Sequence, residues 1–436
     1  MTPEPYALTL VEAIDALSSG ALSCTALTQS LLDRIDATDA NVQAWAWLDR
    51  QHALAAATAL DARRTSGGGS RLEGVPIGVK DVVATAGMPT QMGSPIYAGA
   101  IPVHDAECVA RLGRAGGMVL GKTVTTEFAF MQPGKTRNPW NAACTPGGSS
   151  SGSAAAVALG QVPAAIGTQT NGSVIRPAAY CGVVGFKPGK DLLPFAGVHR
   201  FSPTLDTLGV FARTVADCAL LAGALAGEGA IVPADDWLEV PPTLACLPEF
   251  PWGAISSEQR EALDIAADVL RHAGARVTTL PLPPICRDAP TQLRRIMLHE
   301  AVRELGALQD RDRGRMSVKL NAALDEGRTI GEIVYADALV RRTEIIAALT
   351  DWLAGFDAVL TPPAPGPAPQ DLTQTGDPAC CSLWSLAGFP ALSLPIALAP
   401  NGLPLGIQLA APALRDQRLV AVGKWCERHL PFHGLV

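Results

Sequence analysis

Short apolar runs that alternate with helical segments restrict the fold of this chain more than any other feature of its sequence. Two Ala-rich segments, 105–115 and 150–160, predict helices. Around them, four runs predict buried strands: GVPIGVK (74–80), MVLGK (118–122), VPAAIG (162–167) and GVVGF (182–186). Strands that are apolar along their whole length are covered on both faces of a sheet. The sequence therefore predicts an α/β protein whose central sheet has helices on both faces.

The apolar pattern of residues 1–64 predicts an N-terminal helical segment. Thr9 and Glu12 have the spacing of a capping box, which predicts a helix start at this point. A longer helix is predicted over about 41–64, and the sequence SGGGS (66–70) is expected to end it because glycine favours breaks in regular structure.

The second half of the chain is more helical. Ser256 and Gln259 have the spacing that caps a helix, and 329–355 predicts a long amphipathic helix. Two apolar segments on either side of Pro400-Asn401-Gly402 predict a strand hairpin. A helix over about 415–430 is expected to close the chain.

Composition excludes several classes of partner. Of the 436 residues 48% are hydrophobic, enough for a large core, and the net charge is −7. Nucleic acids and anionic membranes require clustered Lys and Arg, so neither is expected as a partner. The ten Cys and seven His show no metal-ligand spacing, which predicts free thiols, no metal and a reducing cytoplasm. The sequence predicts no signal peptide and no membrane span.

One segment fits a nucleotide-binding pattern. Gly116–Thr123 (GGMVLGKT) matches G-x-x-x-x-G-K-[ST]. In a phosphate-binding loop the first glycine follows a strand, whereas here positions 118–120 themselves predict the strand. We therefore expect Lys122 and Thr123 to finish a strand rather than to bind phosphate.

A second pattern concerns a serine. The sequence GSSSG (148–152) matches the nucleophile elbow G-x-S-x-G, in which Ser150 would attack. An elbow needs a preceding strand and a histidine base, but 141–148 predicts a loop. His104 and His199 are the histidines in the glycine-rich half, and the sequence alone excludes neither of them as the base that would activate Ser150.

Lys80, Ser149 and Ser173 form a third arrangement. Lys80 ends an apolar strand, where burial favours a neutral amine that can act as a base for serine. Ser173 follows a polar turn, TQTNGS (168–173), whose main-chain N–H groups can bind an anionic oxygen. Composition and spacing alone leave this arrangement as one candidate among others.

Several segments resemble the amidase signature family in their order and spacing. The five that carry the resemblance are GVKDVV (78–83), GKTVTTEFA (121–129), TPGGSSSGSAAAVA (145–158), TQTNGSVIRPAAYCGVVGFKP (168–188) and SPTLDTLGVFART (202–214). The segment 388–409 resembles the last sheet strands of that family. The resemblance implies a single domain over residues 1–436 with a mixed sheet. Within it we expect a catalytic core at 70–215, a variable substrate-pocket region at 225–380, and closing strands and a helix at 384–430.

The resemblance also assigns roles to individual residues. Lys80 matches the family's catalytic lysine, Ser149 the serine after a cis peptide bond with Gly148, and Ser173 the nucleophile. The main-chain oxyanion hole falls on four consecutive residues: Thr170, Asn171, Gly172 and Ser173. The implied chemistry needs no metal and no organic cofactor, because Lys80 takes up a proton through Ser149 while Ser173 attacks a carbonyl. Ser150 is then a residue at a helix start.

Some positions depart from the family or are open to two interpretations. Asn171 stands where the family often has Gly, which is tolerable because an oxyanion hole needs only the main-chain amide. Arg176 is expected to be structural, through a salt bridge with Asp206, rather than substrate-binding. The segment KPGKDLLPFAGV (187–198) departs from the family pattern, so the shape of the pocket near the nucleophile is open.

Three residues after the second family segment are candidates for substrate binding. Phe128, Ala129 and Phe130 follow the strand that borders the acyl pocket in the family, and a core position is the alternative for the aromatic rings. Aromatic walls there would suit an apolar acyl group.

The leading functional interpretation is a stand-alone amidohydrolase that cleaves a small-molecule amide, with esters and carbamates open to the same acyl chemistry. One alternative is the glutaminase subunit of a tRNA-dependent amidotransferase, which usually carries DTGGSIRQPA where this chain has QTNGSVIRPA (169–178). The other is an inactive binding homologue, against which the intact Lys80, Ser149 and Ser173 argue. The sequence is compatible with a homodimer.

Overall fold

The computed structural model describes residues 4–64, 70–227, 238 and 240–436. In these ranges the strands form one sheet: β1 (Trp45–Leu48), β2 (Pro76–Lys80), β3 (Met118–Thr123), β4 (Ala164–Gln169), β5 (Val184–Lys187), β6 (Thr207–Ala212), β7 (Thr243–Cys246), β8 (Arg276–Thr279), β9 (Ala358–Thr361), β10 (Ala391–Leu398) and β11 (Pro404–Ala410). Their order across the sheet is β1-β3-β2-β4-β6-β5-β10-β11-β9-β7-β8. β2 runs parallel to β3 and β4, and β7 runs parallel to β8 and β9, whereas the other pairs are antiparallel. The mixed sheet implied by the resemblance is confirmed.

Thirteen α-helices lie in the same described ranges. They are α1 (Leu10–Ser18), α2 (Cys24–Val42), α3 (Arg50–Arg64), α4 (Glu107–Arg114), α5 (Ser151–Ala158), α6 (Ile175–Cys181), α7 (Val215–Ala226), α8 (Ser257–His272), α9 (Ala289–Asp312), α10 (Val318–Arg328), α11 (Glu332–Trp352), α12 (Ala379–Ala387) and α13 (Asp416–His429). None of them is both long enough and apolar enough to cross a membrane.

The central strands of the sheet are buried on both faces, as their apolar sequences predict, whereas β8 at one edge is largely exposed. In β7, Leu244 and Cys246 belong to one hydrophobic cluster and the residue between them, Ala245, belongs to another. Successive side chains of a strand point to opposite faces, so the two clusters lie on opposite sides of the sheet. Helices α5 and α7 contribute buried residues to the first cluster, and α9 and α12 to the second. The predicted α/β class is confirmed.

The N-terminal segment begins as predicted. The side chain of Thr9 accepts a hydrogen bond from the main-chain N–H of Glu12, and the Glu12 side chain accepts one from the N–H of Thr9. Both bonds satisfy N–H groups that a helix start leaves unpaired. Of the predicted break at SGGGS (66–70), residues 66–69 lie outside the described residues.

The single helix predicted over 41–64 is wrong. Trp45–Leu48 forms β1, which pairs antiparallel with β3 at the edge of the sheet, and α3 follows it. Aromatic residues at alternate positions suit a partly buried strand. Pairing with β3 gives this segment main-chain hydrogen bonds and buries Trp45. These two gains outweigh the weak helix preference of the local sequence.

The other predicted elements are present. The four apolar runs correspond to β2, β3, β4 and β5, and the helices predicted around 105–115, 150–160, 329–355 and 415–430 correspond to α4, α5, α11 and α13. The hairpin is confirmed, because β10 and β11 pair antiparallel with Leu398 opposite Pro404. Gly402 lies in its turn with a φ of 77°, a conformation that glycine adopts without strain. Ser256 caps α8 through the N–H of Gln259.

The segment that fits the nucleotide-binding pattern is a buried strand, as predicted. Lys122 lies in β3 and is completely inaccessible to solvent. Its Nζ donates to the carbonyl of Val83 at 2.7 Å and to Thr90 Oγ1 at 2.6 Å, and lies 3.5 Å from Asp81 Oδ1. Burial lowers the pKa of Lys122, and the carboxylate of Asp81 opposes that shift. These contacts occupy the ammonium group, so Lys122 has a structural role.

We expect Lys122→Ala to lower the free energy of unfolding by about 3–5 kcal/mol, because it leaves the buried Asp81 without its cation. Urea denaturation measures the change. The matched control is Lys135→Ala at an exposed position, for which a change below about 0.5 kcal/mol is expected. An unchanged stability of Lys122→Ala, with a melting temperature of the wild type that rises on adding ATP, would contradict the structural role.

Candidate active site

Lys80 is the last residue of β2 and lies next to the glycine-rich loop that carries Ser149. Because β2 and β4 are parallel, their carboxyl ends lie at the same edge. Lys80 is completely buried, and its Nζ lies 2.7 Å from both Ser149 Oγ and Thr168 Oγ1. The side chain therefore joins the ends of two strands to the loop that carries Ser149.

The environment of Lys80 favours the neutral amine. Burial lowers the pKa of Lys80 well below its ordinary value, and the negative charge of Asp206 opposes part of this shift. No acid of the described residues forms an ion pair with it. A neutral amine has two N–H groups and one lone pair, so it can donate to Thr168 and accept a proton from Ser149.

The two candidate serines approach the lysine from different segments. Ser149 follows a cis peptide bond with Gly148, as the resemblance predicts, and is buried. Ser173 lies between β4 and α6 and lines a small cavity of about 60 Å³. In the described part of the chain, the hydroxyl of Ser173 has no hydrogen-bond partner, and Ser149 bonds to Lys80 rather than to Ser173. Bonds between catalytic groups are often long without substrate and shorten when it binds.

The turn before Ser173 presents a row of main-chain donors. The N–H groups of residues 170–173 donate to no described residue, whereas buried N–H groups are nearly always paired. The next two N–H groups, those of Val174 and Ile175, both donate to Gln169 Oε1. Gln169 thus fixes the end of the turn and leaves four consecutive donors beside Ser173. Such a row can stabilise an anionic oxygen.

Side chains around the turn hold its shape. Thr170 Oγ1 donates to Asp206 Oδ1 at 2.6 Å, and the other oxygen of Asp206 accepts from the N–H groups of Phe201 and Ser202. Burial raises the pKa of Asp206 to about 6, against the lowering effect of these hydrogen bonds. On the opposite side, the hydroxyl of Ser385 in α12 donates to the carbonyl of Asn171.

Ser150 lies at the start of α5 and faces away from the cavity. Its Oγ accepts from the N–H of Thr168 at 3.2 Å and donates to the carbonyl of Thr168 at 3.1 Å. The position at a helix start, which the resemblance implies, is confirmed.

Neither candidate histidine contacts a serine. His104 is exposed. Burial lowers the pKa of His199 to about 4, and the ring centroid of His199 lies 5.5 Å from that of Phe128. The described histidines form no bond with Ser149, Ser150 or Ser173, so the elbow interpretation has no base.

The cavity at Ser173 is lined by residues from both halves of the chain. Its walls are Ala129, Phe130, Met131, Thr170, Asn171, Gly172, Ser173, Arg176, Phe201, Met297, Thr375, Gly376 and Pro378. Ala129 and Phe130 are among them, as expected. Phe128 is not: it is completely buried and packs on Tyr97, so the alternative of a core position describes it. Phe130 instead stacks on Phe201, with ring centroids 4.9 Å apart.

The predicted salt bridge between Arg176 and Asp206 is not formed. Arg176 Nη2 donates to the carbonyl of Gly148 at 2.7 Å and to Thr375 Oγ1 at 3.2 Å. Asp206 is occupied by the hydroxyl of Thr170 and by main-chain N–H groups. The prediction failed because each of the two groups has other partners, which sequence spacing does not reveal.

Several contributing residues were missed by sequence reasoning. Thr168 and Gln169 belong to the quoted turn, and their polar side chains at the end of a buried strand were a usable signal. Met297, Thr375 and Ser385 come from the more helical region, where no motif marks them. In the described residues, no group of three or more His, Cys, Asp or Glu is placed to hold a metal ion.

Comparison with known proteins identifies the family of this chain. The family model for Amidase matches residues 26–420. A glutamyl-tRNA(Gln) amidotransferase subunit from Roseiflexus castenholzii is 35% identical over 99% of this chain and 98% of its own length. A solved amidase is 31% identical with a TM-score of 0.88, covering 97% of this chain and 100% of that one. The peptide amidase of Stenotrophomonas maltophilia is 29% identical with a TM-score of 0.83, covering 98% of both chains.

The matched range contains every residue of the candidate site, from Lys80 to Ser385. The chain therefore belongs to the amidase family, whose signature its motifs resemble, and is an amide-cleaving hydrolase.

Proposed function

We propose that this hydrolase opens a C–N amide bond through an acyl-enzyme on Ser173, with Ser149 and Lys80 as a proton relay. The observation that carries the proposal is the 2.7 Å bond between Lys80 and Ser149 beside a turn whose four N–H groups are unpaired. A base of lowered pKa, a nucleophile and oxyanion donors are then present in one place.

The proposed reaction begins with the neutral amine of Lys80. It takes the proton of Ser149 Oγ while Ser149 takes the proton of Ser173 Oγ, and Ser173 Oγ bonds to the substrate carbonyl carbon. The carbonyl oxygen becomes an anion at the N–H groups of the turn formed by residues 170–173. When this intermediate collapses, the C–N bond breaks and the relay returns the proton to the leaving amine. Water then hydrolyses the acyl-enzyme by the same relay.

Residues from both proposed parts of the chain support a single substrate pocket around Ser173. Lys80, Ser149 and Ser173 lie in the proposed core at 70–215. Met297 and Thr375, from the proposed pocket region at 225–380, reach the same cavity. We propose that the two parts act as one domain.

Two functional settings for this chemistry have support: a glutaminase within an amidotransferase complex and a stand-alone hydrolase. The curated relative from Roseiflexus castenholzii is named as part of an amidotransferase, which favours a glutaminase that works with partner chains. This support from the curated relative is stronger than any the comparisons lend to a stand-alone enzyme. The cavity favours a stand-alone hydrolase, because none of the described Asp and Glu residues lines it to pair with the ammonium group of glutamine. The small cavity also suits a small acyl group.

Purification of the tagged chain from its own cells separates the two settings. If it acts alone, it elutes as a single species or a homodimer and releases ammonia or amine from short aliphatic and aryl amides. If it works within a complex, it elutes with other chains, and ammonia release from L-glutamine rises at least about tenfold when those chains are present. Ammonia from glutamine only in the complex would exclude the stand-alone setting.

Ser173→Ala should reduce turnover by about 10⁴-fold or more, because the attacking oxygen is lost. Labelling by a fluorophosphonate, detected by mass spectrometry, should disappear as well. Ser150→Ala is the matched control and should keep both turnover and labelling, with a stability loss of about 1 kcal/mol for the hydrogen bonds of its hydroxyl. An adduct on Ser150, or an unlabelled wild type as in an inactive homologue, would contradict the assignment.

The relay predicts a specific pH dependence. Protonation of Lys80 removes the base, so kcat/KM should fall as the pH drops through its lowered pKa and stay high at neutral to alkaline pH. Lys80→Ala should be nearly inactive at neutral pH, and Lys80→Arg should be no better because a guanidinium does not give up its proton. Ser149→Ala should lose about 10²-fold or more in kcat. Wild-type turnover by Ser149→Ala would show that Lys80 reaches Ser173 directly.

A further inference from the structure

A short loop that forms one wall of the cavity has a main-chain conformation that must be held in place. The loop comprises residues 127–131, and its last three residues line the cavity that contains Ser173. Phe128 and Ala129 both have a positive φ, 47° and 59°. Residues other than glycine rarely adopt this left-handed conformation, and it persists only where surrounding contacts enforce it. The wall therefore depends on the contacts that hold the loop.

Main-chain bonds supply part of these contacts. The N–H of Phe130 donates to the carbonyl of Glu127 at 2.9 Å, and the N–H of Phe128 donates to the carbonyl of Met92 at 2.8 Å. These bonds shape the loop and attach it to the catalytic core. They do not attach it to the helices of the proposed pocket region at 225–380, which supply the other walls of the cavity.

The side chain of Glu127 connects the loop to one of those helices. Glu127 is 4% exposed, and its two carboxylate oxygens lie 3.2 and 3.1 Å from the main-chain nitrogen of Ser317. Ser317 caps α10, so the carboxylate accepts from an N–H group at a helix start, where the helix dipole favours negative charge. In the described part of the chain, this N–H is the one hydrogen-bond partner of the carboxylate.

Helix α10 is itself attached to the rest of the cavity wall. Lys319 Nζ donates to the carbonyl of Thr373, in the segment that carries Thr375 of the cavity wall. Apolar residues of α10 are buried in the second hydrophobic cluster together with residues of α9, the helix that contributes Met297 to the cavity. They are Leu320, Ala323 and Leu324. A bond to the start of α10 therefore fixes the loop relative to the opposite side of the cavity.

The aromatic ring that faces the loop is held separately. Phe130 stacks on Phe201, with ring centroids 4.9 Å apart and 13° between the ring planes. The N–H of Phe201 donates to Asp206, and the hydroxyl of the next residue, Ser202, donates to Glu300 of α9. Phe201 is thus fixed independently of the loop. The position of Phe130 against it depends on what holds the loop.

We propose that Glu127 is a positioning residue: its bond to Ser317 holds Phe130 against Phe201 and thereby sets the width of the cavity. The carboxylate touches no reacting atom and exchanges no proton. The inference rests on the proposed function, because it takes the acyl group on Ser173 to lie in this cavity. Loss of the bond should loosen the wall and weaken the discrimination between acyl groups. A merely structural role would lower stability and leave the discrimination unchanged.

A series of primary amides measures this discrimination by ammonia release. Acetamide, propanamide, butanamide and hexanamide differ only in the length of the acyl chain. The wild type should prefer one chain length, with a kcat/KM at least about tenfold above that for acetamide, the scale of one or two methylene groups in an apolar pocket. Glu127→Ala should reduce this ratio to within about threefold of unity, mainly by raising KM for the preferred amide. Glu127→Gln keeps an accepting oxygen and should keep most of the ratio.

Two variants of Ser317 isolate the bond itself. Ser317 has a φ of −63°, which proline also adopts, and Met316 before it is extended, as a residue before proline must be. Ser317→Pro therefore removes the N–H group that Glu127 binds while the main chain keeps its course. It also removes the hydroxyl that accepts from the N–H of Leu320, and Ser317→Ala is the matched control because it removes this hydroxyl alone. Ser317→Pro should reproduce the loss of discrimination, whereas Ser317→Ala should keep the wild-type ratio.

A second control addresses the loss of a carboxylate at a helix start. Glu427 accepts from the N–H of Val215, the first residue of α7, at 2.9 Å and does not line the cavity at Ser173. Glu427→Ala should leave the ratio unchanged, whatever loss of stability urea denaturation records. In a Phe130→Ala background, Ser317→Pro should change the ratio by less than about twofold, because both changes act on the same wall.

Fluorophosphonate labelling separates a failure of this inference from a failure of the proposed function. Glu127→Ala and Ser317→Pro should both be labelled at rates within about threefold of the wild type, because the centre at Ser173 is intact. Equal kcat/KM values of the wild type along the amide series would overturn the inference alone. So would a wild-type ratio in Ser317→Pro, or an equal loss of the ratio in Glu427→Ala. Absence of both labelling and ammonia release in the wild type would overturn the proposed function, and the inference with it.

Discussion

A lysine side chain at the end of a completely buried strand is the constraint on which the rest of the site depends. Lys80 can serve as a base only while its amine is neutral, and burial of β2 between two layers of helices lowers its pKa. The sheet also decides which groups reach Nζ. The parallel pairing of β2 with β4 brings Thr168 within 2.7 Å, and the loop before α5 brings Ser149 to the same distance.

The row of unpaired N–H groups has a similar origin in the fold. β4 ends at Gln169, and its side chain turns back to bond the first N–H groups of the next helix. A helix start leaves several N–H groups without partners, and a side-chain cap normally satisfies some of them. Here Gln169 caps only Val174 and Ile175, so the N–H groups of residues 170–173 have no partner among the described residues. Asp206 and Ser385, from opposite sides, fix the turn that results.

The sequence predicts what depends on local pattern and fails where distant segments meet. Apolar runs predicted β2 to β5, and the resemblance to the family, rather than composition or spacing alone, singled out Lys80, Ser149 and Ser173. The helix predicted over 41–64 failed because the partner of β1 lies some seventy residues further along the chain. The same limit applies to the cavity. Met297 and Thr375 come from segments without a motif, and the bond between Arg176 and Gly148 depends on how two loops pack.

Three buried cations near one edge of the sheet illustrate how differently a fold can accommodate charge. Lys122 keeps its proton beside Asp81, and the two groups stabilise β3 against the segment after β2. Lys80 forms no ion pair with an acid of the described residues, and burial lowers its pKa toward the neutral amine that a base requires. Arg176 forms no ion pair with a described acid either, but a guanidinium cannot become neutral. Arg176 therefore keeps its charge, and its Nη2 donates to the carbonyl of Gly148 and to Thr375 Oγ1 beside the turn that carries Ser173. The same cost of burial thus makes one cation a candidate base and leaves the other as a charged contact between two loops.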